Sequence, residues 1–74
     1  MAEIKYEIKE QLAAIKSENE RSGWAKELNL VSWNDGEPKY DLRSWNEDHS
    51  RMSKGITLSK DELMQLKNIL DLLF

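Results

Sequence analysis

The apolar residues of the chain follow two different periods. From Trp24 to Trp33 apolar and polar residues alternate, and the alternation resumes from Lys39 to Trp45 after the turn-forming residues NDGEP. A period of two is typical of strands buried on one face, so the two stretches predict a β-hairpin. In the predicted register Trp33 pairs near Lys39, and one face of the hairpin packs on the core. That core face consists of Leu28, Leu30, Tyr40 and Leu42.

The C-terminal part of the chain changes to a helical period. The residues KGITLS predict a short strand with Ile56 and Leu58 pointing inward. Ser59 and Glu62 then have the spacing of a capping box, which marks the beginning of a helix. Apolar residues recur at helical spacing after it, so we expect one stripe of the helix to pack on the sheet. The stripe consists of Leu63, Leu66, Ile69, Leu70 and Leu73.

Two further apolar residues of this helix, Met64 and Leu72, lie off the stripe. An apolar surface wider than one small sheet requires is typical of a chain with a second surface to bury. We therefore expect a homodimer with the C-terminal helix in its interface. The expected interface residues are Met64, Leu66, Ile69, Leu70, Leu72 and Leu73.

The N-terminal segment, from Ile4 to Lys16, fits two kinds of element. Apolar residues recur at helical spacing, yet most of them also share one parity of a strand. The periodicity therefore leaves a helix and a strand both open for this segment.

Length and composition predict one small domain spanning residues 1–74. The chain has 74 residues, of which 39% are hydrophobic, close to the size below which a single core no longer holds a fold. It contains no cysteine, which excludes disulfides and thiolate metal sites. The charged N-terminal residues lack an apolar signal core, and no stretch approaches the length of a membrane span. These features favour a cytoplasmic protein.

The sequence gives little support for catalysis. The single histidine, His49, lies in the polar residues NEDHS, and such neighbours in a loop do not converge like a catalytic triad or a metal site. We expect His49 to be a solvated loop residue. The sequence also contains no phosphate-binding loop, dinucleotide fingerprint or paired histidines. We therefore predict a protein that is not an enzyme and has no cofactor and no metal.

Binding has better support, because the charge is unevenly distributed. The formal net charge is -3, yet the range 39–60 contains five cations and three anions. In the predicted hairpin, cations and indoles share the face opposite the core: Trp33, Lys39, Arg43 and Trp45. Cations neutralise phosphates and flat rings stack on unpaired bases, so this face suits a single-stranded nucleic acid. A structural interpretation is equally open: the tryptophans pack under loops or against each other, and Arg43 pairs with Asp41 or Glu27.

Beyond these patterns, the residues KYDLRSWNEDHSRMSKGITLSKDELMQLK resemble the DNA-binding core of the transcriptional coactivator family called positive cofactor four. The hallmark of that family is a strand of the D-[IL]-R-x-[WY] kind, a loop, then K-G-I-[ST]-L and a helix. The residues KELNLVSWNDGEPKYDLRSWNEDHSRMSKGITLS are still more similar to its small bacterial, YdbC-like branch. The motif covers about residues 24–73, and the bacterial resemblance extends to the N-terminus.

The resemblance implies an α+β fold, in which a four-stranded, curved antiparallel β-sheet precedes one C-terminal α-helix (ββββα) in a homodimer. Single-stranded DNA is expected to cross the sheet. The first segment then becomes a strand from about Ile4 to Ser17, with Lys5, Lys9 and Gln11 on the exposed face. The expected DNA contacts are, in order, Arg43, Trp45, Lys54, Trp33, Lys39, Lys9, Lys5 and Arg51.

The hairpin departs from the better-known eukaryotic members, because Asp35 and Glu37 stand where those members are rich in lysine. Their serine-rich acidic extension is also missing, so an activator-mediated role is not carried over. We predict a homodimer that binds single-stranded DNA with little sequence preference. Its expected setting is the nucleoid, in transcription regulation, replication or repair. Single-stranded RNA as the ligand, and a module that docks a protein on its aromatic strand face or apolar helix, are the alternatives.

Overall fold

The computed structural model describes residues 4–18 and 20–74. Residues 1–3, at the start of the charged N-terminal segment, and residue 19 lie outside the described residues. The elements are β1 (Tyr6–Ile15), β2 (Trp24–Trp33), β3 (Lys39–Asn46), β4 (Ile56–Leu58) and α1 (Lys60–Leu73). All neighbouring strands are antiparallel, and they form one sheet in the order β1-β2-β3-β4. The predicted ββββα fold is confirmed, and the ambiguous first segment is a strand.

The β2–β3 hairpin pairs two residues away from the predicted register. Val31, and not Trp33, lies opposite Lys39. The connection begins with two residues of positive φ, Asn34 at 51° and Asp35 at 62°, which is the mirror-image turn whose twist suits a hairpin. The last paired residues are Val31 and Lys39, so residues 32–38 lie between them, whereas the predicted register leaves only residues 34–38. A shift of two residues leaves every side chain on its predicted face, because the period of a strand is two.

The sheet curls so strongly that the two ends of one face meet. Tyr6 lies opposite Trp33 at one end of β2, and Trp45 lies opposite Ala25 at the other end. In a flat sheet these two positions would be about 25 Å apart. The ring centroids of Tyr6 and Trp45 are nevertheless only 5.3 Å apart. This face is therefore concave and closes on its own side chains.

The core lies on the concave face, opposite to the side predicted from the alternation. Among the described residues, the buried hydrophobic side chains are Val31 and Trp45, with Asn29 and Asp41 as buried polar neighbours. Curvature encloses the concave side chains and spreads the convex ones apart. The four residues predicted to face the core are only half-buried, on the convex face: Leu28, Leu30, Tyr40 and Leu42.

Irregular pairing in β1 also changes which side chains face inward. The register with β2 slips twice, first directly after Ile8, and each β-bulge exchanges the faces. Gln11 therefore lies opposite Asn29 on the concave face, as expected. Lys5 directly precedes β1, on the parity opposite to Tyr6, and its contact with DNA stays a prediction.

The helix begins as predicted but packs less than predicted. The hydroxyl of Ser59 accepts a hydrogen bond from the amide of Glu62, whose carboxylate accepts one from the amide of Ser59, which confirms the capping box. Among the described elements the helix contacts β3 and β4, and none of its residues is buried. Because β4 is only three residues long, it offers little surface to a helix of 14 residues. Of the predicted stripe, three residues remain exposed: Ile69, Leu70 and Leu73.

Candidate nucleic-acid interface

On the concave face an arginine lies over the ring of a tryptophan. The Nε and Nη2 of Arg43 donate to the two carboxylate oxygens of Asp41 at 2.6 and 2.7 Å. The guanidinium carbon lies 4.6 Å from the centre of the Trp33 ring, within the range of a cation–π contact. The structural interpretation that the sequence left open for Arg43 is therefore confirmed: this arginine pairs with Asp41.

A glycine after the β3–β4 loop fits closely against this arginine. A Cβ atom on Gly55 would overlap the Cβ of Arg43 and the carbonyl oxygen of Leu42. Only glycine lets the backbone approach β3 this closely. The glycine of the K-G-I residues thus has a physical reason, since it is the position at which the loop returns against β3.

The loop between β3 and β4 covers Trp45. The His49 ring lies 5.6 Å from the Trp45 ring, and its Nε2 is 2.9 and 3.0 Å from the carboxylate oxygens of Glu27. The hydroxyl of Tyr6 donates to the carbonyl oxygen of His49 at 2.6 Å. The expectation of a solvated His49 was wrong, because its side chain is only 22% exposed.

Burial also changes what can be expected of Trp45. The residue is 1% exposed, so its predicted exposure on the binding face was wrong. A base could stack on this ring only after the β3–β4 loop moved away. Direct contact between Trp45 and DNA stays a prediction, whereas Trp33 is half-buried and lies nearer the surface.

Besides Arg43, the cations predicted to contact phosphates fall into two groups. Lys5 forms an ion pair with Asp35 at 2.9 Å, and Lys9 forms one with Glu7 at 3.0 Å. Exposed ion pairs of this kind contribute little and are readily exchanged. The other three cations are exposed and form no ion pair with a described residue: Lys39, Arg51 and Lys54.

Two carboxyl groups of the surface have lowered pKa values. Hydrogen bonds from the hydroxyl and the amide of Ser50 lower the pKa of Asp48 in the β3–β4 loop. The backbone and side chain of Ser59, and to a smaller extent the charge of Lys39, lower the pKa of Glu62. Both carboxyl groups therefore keep their negative charge further into acid than an unpaired carboxyl group would.

The sequence reasoning did not identify two aromatic residues that make ring contacts in the structure, Tyr6 and Trp24. The Tyr6 ring lies 6.0 Å from the Trp33 ring, and only the bulged register of β1 reveals that they share a face. At the other end of β2, the Arg21 guanidinium lies 4.6 Å from the Trp24 ring. This second stack borders a cleft of about 470 Å³. Arg21 and Trp24 are three residues apart, and this spacing is the one feature of the sequence that could have indicated their contact.

The concave face offers groups for binding: flat rings, a guanidinium plane and cations at the rim. Within residues 4–18 and 20–74, no cluster of histidine and acidic side chains is suited to a metal ion. No helix in the described part of the chain has the length and apolar character needed to cross a membrane.

The fold and this face define a small ββββα domain with an arginine–aromatic surface on its sheet. The model of the family described as Transcriptional Coactivator p15 (PC4) matches residues 21–69, and the chain belongs to this family. The resemblance seen in the sequence is thereby confirmed. The family consists of non-enzymatic domains that bind single-stranded DNA.

The chain is also similar to a bacterial protein. It is 44% identical over 50 residues to an uncharacterized protein of Treponema pallidum (strain Nichols). The match covers 68% of this chain and 59% of that protein, so the chain spans little more than half of its relative.

Proposed function

We propose that the protein is a homodimer that binds single-stranded DNA with little sequence preference and has no enzymatic activity. It acts at the nucleoid, on strands exposed during transcription regulation, replication or repair. One observation carries the proposal: the guanidinium carbon of Arg43 lies 4.6 Å from the centre of the Trp33 ring, on the face that also presents Lys39. Membership of a family that binds single-stranded DNA supports the same conclusion.

In this mechanism bases and phosphates meet different parts of the surface. Bases stack on the plane of Trp33 and Arg43, since every base has a flat face and such stacking tolerates any sequence. Duplex DNA hides these faces and binds more weakly. Phosphates follow the exposed cations, whose attraction releases counterions and makes binding sensitive to salt. The proposed phosphate contacts are Lys39, Arg51 and Lys54, with Lys5 and Lys9 farther out.

A second copy of the chain completes the proposed assembly. The leucines of the convex face are only half-buried, and apolar side chains of the helix are exposed. Surfaces of this kind are typical of protein interfaces. The two copies bury these surfaces against each other and double the number of binding faces. The proposed interface comprises Met64, Leu66, Ile69, Leu70, Leu72 and Leu73.

The proposal is tested by titrating a fluorescently labelled thymidine oligonucleotide with the protein at several salt concentrations. We expect the single strand to bind, and a duplex of the same length to bind much more weakly. Substitution of Lys54→Gln removes one phosphate contact and should reduce the slope of log affinity against log salt by about 0.7. Lys67→Gln, an equal change of charge on the helix, should leave that slope unchanged. Absence of binding at micromolar protein in low salt would contradict the proposal.

One observation favours a second candidate, a module that docks another protein. The last residues of the helix are highly exposed and apolar, with Leu72 at 88% and Phe74 at 97%. The same titration separates the candidates, because a docking module would leave both oligonucleotides free. A uridine oligonucleotide added to the series tests RNA, which offers the same base faces to the stacking plane.

A further inference from the structure

The partner of Arg43 limits what this arginine can do for a bound strand. The Asp41 carboxylate is fully buried and lies against the guanidinium in a two-pronged arrangement. A guanidinium whose charge is balanced by a buried carboxylate attracts phosphates weakly, because the two fields largely cancel at a distance. Its flat face is unaffected by this pairing and can still stack on a ring or a base.

Further contacts hold the guanidinium in one orientation. The Thr57 hydroxyl donates to Oδ2 of Asp41 at 3.0 Å, and Thr57 lies directly opposite Asp41 across the β3–β4 pairing. On the other side, Nη1 of Arg43 points at the sulfur of Met52 at 3.4 Å. With Trp33 beneath it, the Arg43 side chain is 14% exposed and is not free to follow a phosphate.

We propose that Asp41 and Thr57 are positioning residues, which hold Arg43 as a charge-balanced plane against Trp33, so that this arginine contacts bases and not phosphates. The inference rests on the proposed function and gives Arg43 a different role from the rim cations. The salt dependence of DNA binding then comes from Lys39, Arg51 and Lys54. The preference for a strand with bases over a strand without bases comes from the guanidinium plane of Arg43.

Thr57 provides the first test, since it is exposed on a short edge strand and its hydroxyl can be removed without opening the core. Affinity is measured for a thymidine oligonucleotide and for an abasic oligonucleotide of equal length, which has phosphates but no bases. Thr57→Val should weaken thymidine binding about three- to tenfold, on the order of the net contribution of one ordinary hydrogen bond. Abasic binding should stay unchanged, and Thr57→Ser should restore thymidine binding.

Arg43→Lys provides the second test, because it keeps the charge and the partner Asp41 but removes the plane. We expect thymidine affinity to fall about tenfold, as for the loss of one stacking contact, with an unchanged salt slope. Circular dichroism verifies that each variant is folded. The positioning role alone would be overturned if Thr57→Val lost equal affinity for the thymidine and the abasic oligonucleotide. It would also be overturned if Arg43→Lys bound the thymidine oligonucleotide as tightly as the wild type. A wild-type protein that binds neither oligonucleotide would overturn the proposed function and this inference with it.

Discussion

At the scale of single residues, Trp45 and Asp41 lie fully buried at the centre of the concave face. Trp45 contacts His49 from the loop and Tyr6 from β1, so one indole joins three separate parts of the chain. Asp41 holds Arg43 and accepts from the next strand. Both residues therefore hold the fold together, and a direct contact between Trp45 and DNA stays a prediction.

The burial of Trp45 predicts a large effect on stability. Trp45→Ala should lower the free energy of unfolding by about 3–5 kcal/mol, because it leaves a cavity in a very small core. Trp45→Phe should cost much less, since it keeps a ring and removes an indole N–H that has no hydrogen-bond partner among the described residues. Urea unfolding of the three proteins measures this. Equal stability of Trp45→Ala and wild type would show that the ring is exposed in solution, as the alternation had predicted.

At the scale of elements, the helix is well defined at its start and poorly covered along its length. The capping box satisfies free amides of its first turn, and Asp61 and Glu62 place negative charge where the helix dipole favours it. Its apolar side chains have little of the sheet to pack against. The stability of the helix therefore depends on its capping, and in the proposed homodimer also on the surface of the second copy.

The capping box predicts a dependence on pH. The ordinary pKa of Glu62 is 4.5, and the hydrogen bonds of Ser59 lower it in the folded protein. The capping contribution is therefore fully present above pH 4.5 and is lost as the pH falls through the lowered value. Wild-type helicity, followed by far-ultraviolet circular dichroism, should fall in this acidic window. Glu62→Gln, which can cap without titrating, should fall less, and identical acid curves would contradict a role of the carboxylate.

At the scale of the whole molecule, the strongly curved sheet has a filled concave face and an open convex face. The concave side contains the buried hydrophobic residues, and the convex side presents half-buried leucines. Apolar residues of the helix are exposed as well, including Ile69 at 53%. A chain of 74 residues buries little surface by itself. The proposed association of two copies would bury more of this surface.

The predicted homodimer can be tested by sedimentation. The wild type should sediment at twice the mass of the chain, and Ile69→Glu should shift it to the monomer by placing a charge in the apolar contact. The neighbouring change Asn68→Glu adds the same charge at an exposed polar position and should leave the dimer intact. A wild type that sediments as a monomer at all concentrations would contradict the proposed assembly.

Much of the fold could be predicted from residues close together along the chain. Alternation placed β2 and β3 within one residue of their observed ends, and Ser59 with Glu62 located the start of the helix. The parity of the strands also grouped Trp33 with Arg43 correctly on one face. These features depend on local periodicity, capping and turn chemistry, which a sequence displays directly.

The sequence by itself thus determined the kind and order of the elements, the shared face of the candidate site and the family. Tertiary structure alone decided that this face is concave and is the core, that His49 covers Trp45, and that Asp41 balances the charge of Arg43. Each of these depends on curvature, bulges and loop closure, which join residues distant in sequence. The pattern of a strand shows that its two faces differ, but only the packing of the whole sheet decides which face is enclosed.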